Sequence, residues 1–227
     1  KTTGNPMSAH LYYQAIGIFR DQAAVDKYPH WAGAQPGDII FKDVNGDGKI
    51  DGLDQVRDNK TDIPTFTGGL SINAAYKGFD ISILFQGATG AERAYTEFSG
   101  EAGNFRMDNV TGRWTPTNID AKKPRAWNRT SQYWMADGWP NNTYCVRNST
   151  SLRLQHVEIG YQLPQKITKK FGIDALRVYA SGLNIWTLTG LKDFDPESPN
   201  TADGSIWVNS QVYPLNKTYS FGLTVTF

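Results

Sequence analysis

The sequence predicts an all-β fold, an antiparallel transmembrane β-barrel segment with long extracellular loops. Five segments alternate apolar and polar side chains, as strands with one apolar and one polar face do, and a sixth segment, residues 11–20, is rich in β-branched and aromatic residues. The connections between them are alternately long and short. No stretch approaches the 18 or so consecutive apolar residues of a membrane helix, so only strands could cross a membrane. The six predicted strands are residues 11–20, 67–76, 79–86, 151–163, 176–186 and 219–227.

The last strand, residues 219–227, shows the alternation most clearly. Its odd-numbered positions are apolar or aromatic, and its even-numbered positions are small or polar. Alone, this pattern fits a soluble β-sandwich, whose apolar faces meet in a core, as well as an outer-membrane barrel, whose apolar face contacts lipid. The strand ends on the aromatic Phe227, as a barrel strand does at the bilayer interface.

The lengths of the connections favour the barrel. Long connections of about 45, over 60 and about 30 residues alternate with two short ones, Lys77-Gly78 and residues 164–172, as in outer-membrane barrels. Short turns of such barrels are periplasmic and long loops are extracellular, so residues 38–58 and 87–150 are expected outside the cell. Six strands are too few to close a spanning barrel, and an open edge in lipid is unfavourable. We therefore expect residues 1–227 to be the carboxyl-terminal part of a larger barrel.

A twelve-residue segment within residues 38–58 fits a calcium-binding loop. Oxygen-bearing side chains occupy its positions 1, 3, 5, 9 and 12, and Gly48 at position 6 permits the sharp turn. The loop departs from an EF-hand because its last position is Asp rather than Glu and because no amphipathic helix precedes it. A structural Ca²⁺ site is predicted, and a hydrogen-bonded turn without an ion is the alternative. The predicted ligands are Asp43, Asn45, Asp47, the Lys49 carbonyl, Asp51 and Asp54.

The candidate substrate-binding residues are tryptophans. Four of the seven Trp residues lie in residues 87–150, and a fifth lies in the loop before the last strand. Exposed indole rings can stack on sugars or on apolar peptide side chains. The alternative is that they pack the loops together or against a partner. The candidates are Trp114, Trp127, Trp134, Trp139 and Trp207.

Other function classes find little support in the sequence. A net charge of +1 gives no sign of nucleic-acid binding. The single cysteine, Cys145, excludes an intramolecular disulfide framework. The chain has no nucleophile elbow, no His-containing metal set and no Gly-rich phosphate loop, so we predict that it is not an enzyme.

Several sequence blocks carry a family resemblance. They are GDIIFKDVNGDGKID (37–51), YKGFD (76–80), FQG (85–87), RWTP (113–116), SLRL (151–154), IGYQLP (159–164) and RVY (177–179) followed by Asn184. In this order, and with the terminal Phe227, they resemble the carboxyl-terminal barrel portion of SusC/RagA-type TonB-dependent transporters of Bacteroidota.

This resemblance implies a location in the bacterial outer membrane and a barrel of about 22 strands with a plugged lumen. It also implies import of oligosaccharides or oligopeptides, a SusD-like surface lipoprotein as partner, and energy from the TonB complex. The plug and the TonB-binding segment have no counterpart in residues 1–227. The alternative is a soluble, calcium-stabilised β-sandwich module of the carbohydrate-binding or dockerin-like kind, which would stay monodisperse without detergent.

Overall fold

The computed structural model describes residues 3–6, 9–96, 110–126, 142–191, 195–197, 207–209 and 214–227, with the backbone alone for 94–96 and 207–209. The chain divides into two compact units. The loop unit comprises Lys1–Asp62, Arg93–Arg147 and Pro199–Val212. The sheet unit comprises Ile63–Glu92, Asn148–Ser198 and Tyr213–Phe227.

Most of the regular structure is β-strand. The helices described in full are α1 (Gln22–Lys27) and α2 (Gln165–Thr168), with 3-10 turns at Gly52–Asp54 and Lys169–Phe171. Among the described residues, no helix is long and apolar enough to cross a membrane. The strands are β1 (Leu11–Tyr13), β2 (Ala15–Ile18), β3 (Ile39–Phe41), β4 (Gln55–Arg57), β5 (Phe66–Tyr76), β6 (Phe79–Thr89), β7 (Glu92–Thr96), β8 (Val146–Asn148), β9 (Ser151–Gln162), β10 (Ala175–Thr189), β11 (Trp207–Asn209) and β12 (Thr218–Thr226).

The sheet unit is built on one five-stranded antiparallel sheet in the order β12-β10-β9-β6-β5. β5 and β6 form a hairpin that is closed by Lys77 and Gly78, both with positive φ (49° and 89°), as a two-residue hairpin turn of the I′ kind requires. The predicted slip in phase near Gln155 is present, because Leu84 pairs with His156 whereas the next residue, Phe85, pairs with Leu154. The predicted all-β antiparallel fold is confirmed.

The apolar side chains of this sheet point away from any core. Phe221 is 85% exposed and Leu223 is 68% exposed, and Phe79 and Ile159 are also exposed. A soluble sandwich would bury these side chains between two sheets. The sheet therefore has the exposed apolar face that the barrel prediction requires.

The loop unit contains a buried hydrophobic core. Its members are Tyr13, Phe19, Val25, Ile39, Phe41 and Ile50. Helix α1 begins where the Asp21 side chain accepts a hydrogen bond from the Ala24 N–H, a standard N-cap. β1 pairs with β4 and β2 pairs with β3, each antiparallel.

Two expectations need correction. Residues 11–20 do not add a sixth strand to the sheet; they form β1 and β2 in the loop unit. The adjacent Tyr12 and Tyr13 are both buried, so β1 is covered on both faces, whereas a barrel strand has lipid on one face. In addition, residues 87–150 are not wholly loop. β6 continues to Thr89, β7 and β8 follow, and β7 pairs in parallel with the distant β11.

Candidate functional site

The apolar face of the sheet has the dimensions of a membrane-spanning band. β5 contains 11 residues, and ten steps of about 3.4 Å at a tilt of about 45° span roughly 24 Å. The apolar band of outer-membrane barrels is about 25 Å tall and is flanked by aromatic girdles. Tyr76, Phe79 and Tyr161 lie in one cross-strand row at the turn end, and Phe66 and Trp186 lie towards the other end. The geometry of this face therefore matches a lipid-facing surface.

The opposite face carries an ion cluster built on Arg177. Its guanidinium pairs with Asp80 on β6 and with Glu158 on β9, with 3.0 Å from Nε to Asp80 Oδ1 and 2.8 Å from Nη2 to Glu158 Oε1. A β-carbon at Gly160 would overlap this guanidinium, so glycine is required for the arginine to lie across β9. The three charged groups thus link adjacent strands on the polar face.

Tyr179 extends the same arrangement. Its ring lies across Gly222 of β12, where a β-carbon would overlap it, and its centre is 5.1 Å from Arg177 Cζ. This distance suits a cation–π contact. The polar face therefore presents an ordered hydrophilic surface across β6, β9, β10 and β12.

A second ion cluster fixes the segment after β10. Arg153 on β9 is only 4% exposed and lies 2.6 Å from Asp195 and 2.6 Å from Glu197. The Asp195 carboxylate also accepts the N–H groups of Glu197 (2.9 Å) and Leu215 (3.2 Å). This cluster was not predicted from the sequence. The only available signal was an arginine within a predicted strand, a position where a buried charge needs a partner.

The first half of the predicted calcium loop forms a tight, hydrogen-bonded turn. The Asp43 carboxylate accepts the N–H groups of Gly46 (2.6 Å) and Gly48 (2.9 Å), and the Asp47 carboxylate accepts the N–H of Lys49 (2.9 Å). The Asn45 side-chain oxygen accepts the N–H of Asp47 (3.0 Å). Gly46 and Gly48 have φ of 76° and 80°, which only glycine adopts easily. The sharp turn predicted at Gly48 is therefore present.

The second half closes the loop through Asp54. This side chain is fully buried, and its two oxygens accept the N–H groups of Val44 (2.8 Å) and Asp51 (2.8 Å). Asp51 accepts the N–H of Leu53 (2.8 Å) and so caps the 3-10 turn. In the described part of the chain, no three His, Cys, Asp or Glu side chains converge as a metal site. Asp54 thus has a structural role in this geometry, and calcium binding stays a prediction.

Trp114 packs one loop against another. Its Nε1 donates to the Arg20 carbonyl (3.1 Å), and its ring covers Gly37, where a β-carbon would lie 2.6 Å from it. Next to it, Arg125 Nε pairs with the fully buried Asp38 at 2.5 Å. These contacts agree with the packing alternative for Trp114.

The side chains of the other candidate tryptophans lie outside the described part of the structure. Trp127, Trp134 and Trp139 lie outside the described residues, and only the backbone of Trp207, the first residue of β11, is described. A role of these residues in substrate binding stays a prediction.

Sequence and structure comparisons show which known proteins this chain resembles. No protein-family model matches the chain. It is 31% identical over 208 residues to TonB-dependent receptor P3 of Formosa agariphila, covering 86% of this chain and 19% of that protein. It is 25% identical over 195 residues to the TonB-dependent receptor SusC of Bacteroides thetaiotaomicron, covering 85% and 18%. The structure of the RagAB peptide transporter superposes with a TM-score of 0.69 at 23% identity, covering 96% of this chain and 22% of that chain.

The chain is a segment of a SusC/RagA-type TonB-dependent receptor. It spans about a fifth of the length of the curated relatives that it matches. Receptors of this type are outer-membrane proteins of Gram-negative bacteria, so the predicted location is confirmed. The relatives are receptors and transporters rather than enzymes, which is consistent with the prediction that this receptor segment performs no catalysis.

Proposed function

We propose that this receptor segment is part of an outer-membrane importer of oligosaccharides or oligopeptides. The observation that carries the proposal is the two-faced sheet, with an exposed apolar face of membrane height and an opposite face that holds the Arg177 cluster. A wall of this kind separates lipid from a hydrated passage. The relatives support the proposal through their names, which describe TonB-dependent receptors and, for RagAB, a peptide transporter.

The partners follow from the same proposal. The two outer strands of the sheet, β5 and β12, each pair on one side within the described residues, and an unpaired backbone edge in hydrocarbon is unfavourable. The remaining barrel strands of the same receptor would pair with these edges. A SusD-like lipoprotein would cover the extracellular end, where residues 38–58 and 87–150 would lie, and TonB would supply energy through a plug.

Growth and uptake measurements test this function. Deleting the gene of the complete receptor should abolish growth on one class of oligosaccharide or oligopeptide, while growth on the corresponding monomers stays normal. Uptake of a fluorescent oligomer of that class should require TonB, and a lipoprotein should co-purify with the receptor in detergent. A deletion strain that uses every oligomer class as well as the parent would refute the proposal.

The two cargo classes give different outcomes in the same experiment. Loss of growth on oligosaccharides alone would assign the receptor to glycans, and loss on oligopeptides alone would assign it to peptides. Restoring the wild-type gene provides the control, because it should recover growth on the affected class only.

A further inference from the structure

A groove interrupts the apolar face at the end away from the Lys77-Gly78 turn. It has a volume of about 960 Å³. Its floor includes Gly68 and Gly87, which face each other in the β5–β6 pairing. Phe66, Phe85, Leu152 and Leu188 supply much of its wall. We propose that this glycine groove binds an acyl chain of a membrane lipid.

The groove results from the residue types in one cross-strand row. Gly68 pairs with Gly87, Gly87 with Leu152, and Leu152 with Leu188. Because both residues are glycine, β5 and β6 have no side chains in this row. The neighbouring row has Leu70 and Phe85 on the same two strands. The missing side chains leave a recess between larger apolar groups.

The lining of the glycine groove selects an apolar occupant. None of its lining residues is charged, and its polar members are threonines, Ser151 and Asn148. Phe66 and Leu188 are exposed beside the groove and continue the apolar face. Because the groove opens on the face that contacts lipid, hydrocarbon chains are the groups present there at the highest concentration.

Packing gives the physical reason for a bound chain. Hydrocarbon around a barrel offers no hydrophobic driving force, so binding depends on van der Waals contact. A lipid chain passing over the recess would leave its walls without partner atoms, and the walls would lose that attraction. A chain that lies within the groove contacts walls on both sides. The short Lys77-Gly78 turn is expected on the periplasmic side, which puts the groove in the outer leaflet.

The inference depends on the outer-membrane location and not on what the receptor imports. Two substitutions test it in the complete receptor. Gly68→Leu fills the groove, and a side chain at Gly68 would first meet the movable ring of Phe66, at 3.1 Å. Gly190→Leu fills it from β10's end, where a β-carbon has open space. Ala74→Leu is the matched control, because Ala74 lies on the same strand and face as Gly68 but outside the groove.

Native mass spectrometry of each receptor, purified from outer membranes in mild detergent, counts the retained lipid. We expect wild type and Ala74→Leu to retain a lipid, and Gly68→Leu and Gly190→Leu to retain at least fivefold less. Equal retention in all four proteins, or none in wild type, would overturn the proposal. Heat-dependent electrophoretic mobility reports whether each barrel has folded.

Cryo-electron microscopy of the wild-type receptor in lipid nanodiscs provides a measurement without any variant. Chain-shaped density in the glycine groove is expected, and an empty groove, or a side chain of a second receptor copy in it, would refute the inference. Uptake is measured separately. A receptor that imports no tested oligomer but retains its lipid would therefore contradict the proposed function and leave the groove assignment intact.

Discussion

The ion cluster around Arg153 makes a sharp prediction about the segment that follows β10. In Arg153→Met the long apolar stem is largely kept and the guanidinium is lost. Asp195, only 8% exposed, is then left buried without its charge partner. Removing one member of a buried pair typically costs about 3–5 kcal/mol. We expect the lower end of this range, because Asp195 keeps two N–H donors and Glu197, 29% exposed, can be hydrated.

Hydrogen exchange of the complete receptor measures this effect. The amides of Glu197 and Leu215 donate to Asp195, so they exchange when the segment separates from β9. A loss of about 3 kcal/mol corresponds to roughly 100-fold faster exchange. Peptides covering residues 195–197 and 214–217 should show this acceleration, and peptides from β5 should be unchanged.

A second variant, combined with the first, tests whether the Arg153–Asp195 ion pair causes the protection from exchange. Asp195→Asn removes the charge on the other side of the pair, so the double variant with Arg153→Met should lose less protection than the two single variants summed. Purely additive effects would show that the two side chains do not interact. Unchanged exchange at Glu197 and Leu215 in Arg153→Met would refute the assignment of Arg153 as the anchor of this segment.

Three further predictions concern the predicted calcium loop, the polar face and the loop unit. Asp47→Ala, or a chelator added to wild type, should lower the protease resistance of residues 43–54 without unfolding the barrel; equal proteolysis in every case would count against a bound ion. Gly222→Ala should destabilise the barrel by about 1–3 kcal/mol, because the new β-carbon overlaps Tyr179, whereas Gly190→Ala has open space and should leave the heat-dependent unfolding midpoint unchanged. Burial lowers the pKa of His10 below its usual 6.5. The stabilisation by neutral His10 is therefore fully present above pH 6.5 and is lost as the pH falls below that value. In His10→Gln, the protease resistance of the loop unit should therefore fall less between pH 7 and pH 5 than it does in wild type. The same pH profile in both proteins would show that His10 is not the cause.

The strands of the sheet could be predicted because their signal is local. Side chains of a strand alternate between its faces, so each of the segments now seen as β5, β6, β9, β10 and β12 shows its own period of two. The hairpin turn at Lys77-Gly78 and the bulge near Gln155 also left local signals. The connection lengths already favoured the barrel over a soluble sandwich, and the exposure of Phe221 and Leu223 supports the same choice. The pattern of a single strand does not determine this exposure.

The remaining features depend on contacts between distant parts of the chain. Arg153 and Asp195 are 42 positions apart, and no spacing rule joins them. Residues 11–20 contain strand-forming residues, but the burial of both Tyr12 and Tyr13 depends on their partners in the loop unit. For Trp114, the sequence showed an aromatic residue in a loop. Its contacts with Gly37 and Arg20 could not be predicted, because both residues are far from it in the sequence.

Gly160 and Gly222 have a consequence for the width of any passage beside this wall. A long side chain that stood upright on the polar face would narrow the bore by its full length. Arg177 and Tyr179 instead lie flat against the backbone of the neighbouring strands, because those two positions have no β-carbon. Two large polar groups thus cover the polar face while projecting little from the backbone of the sheet.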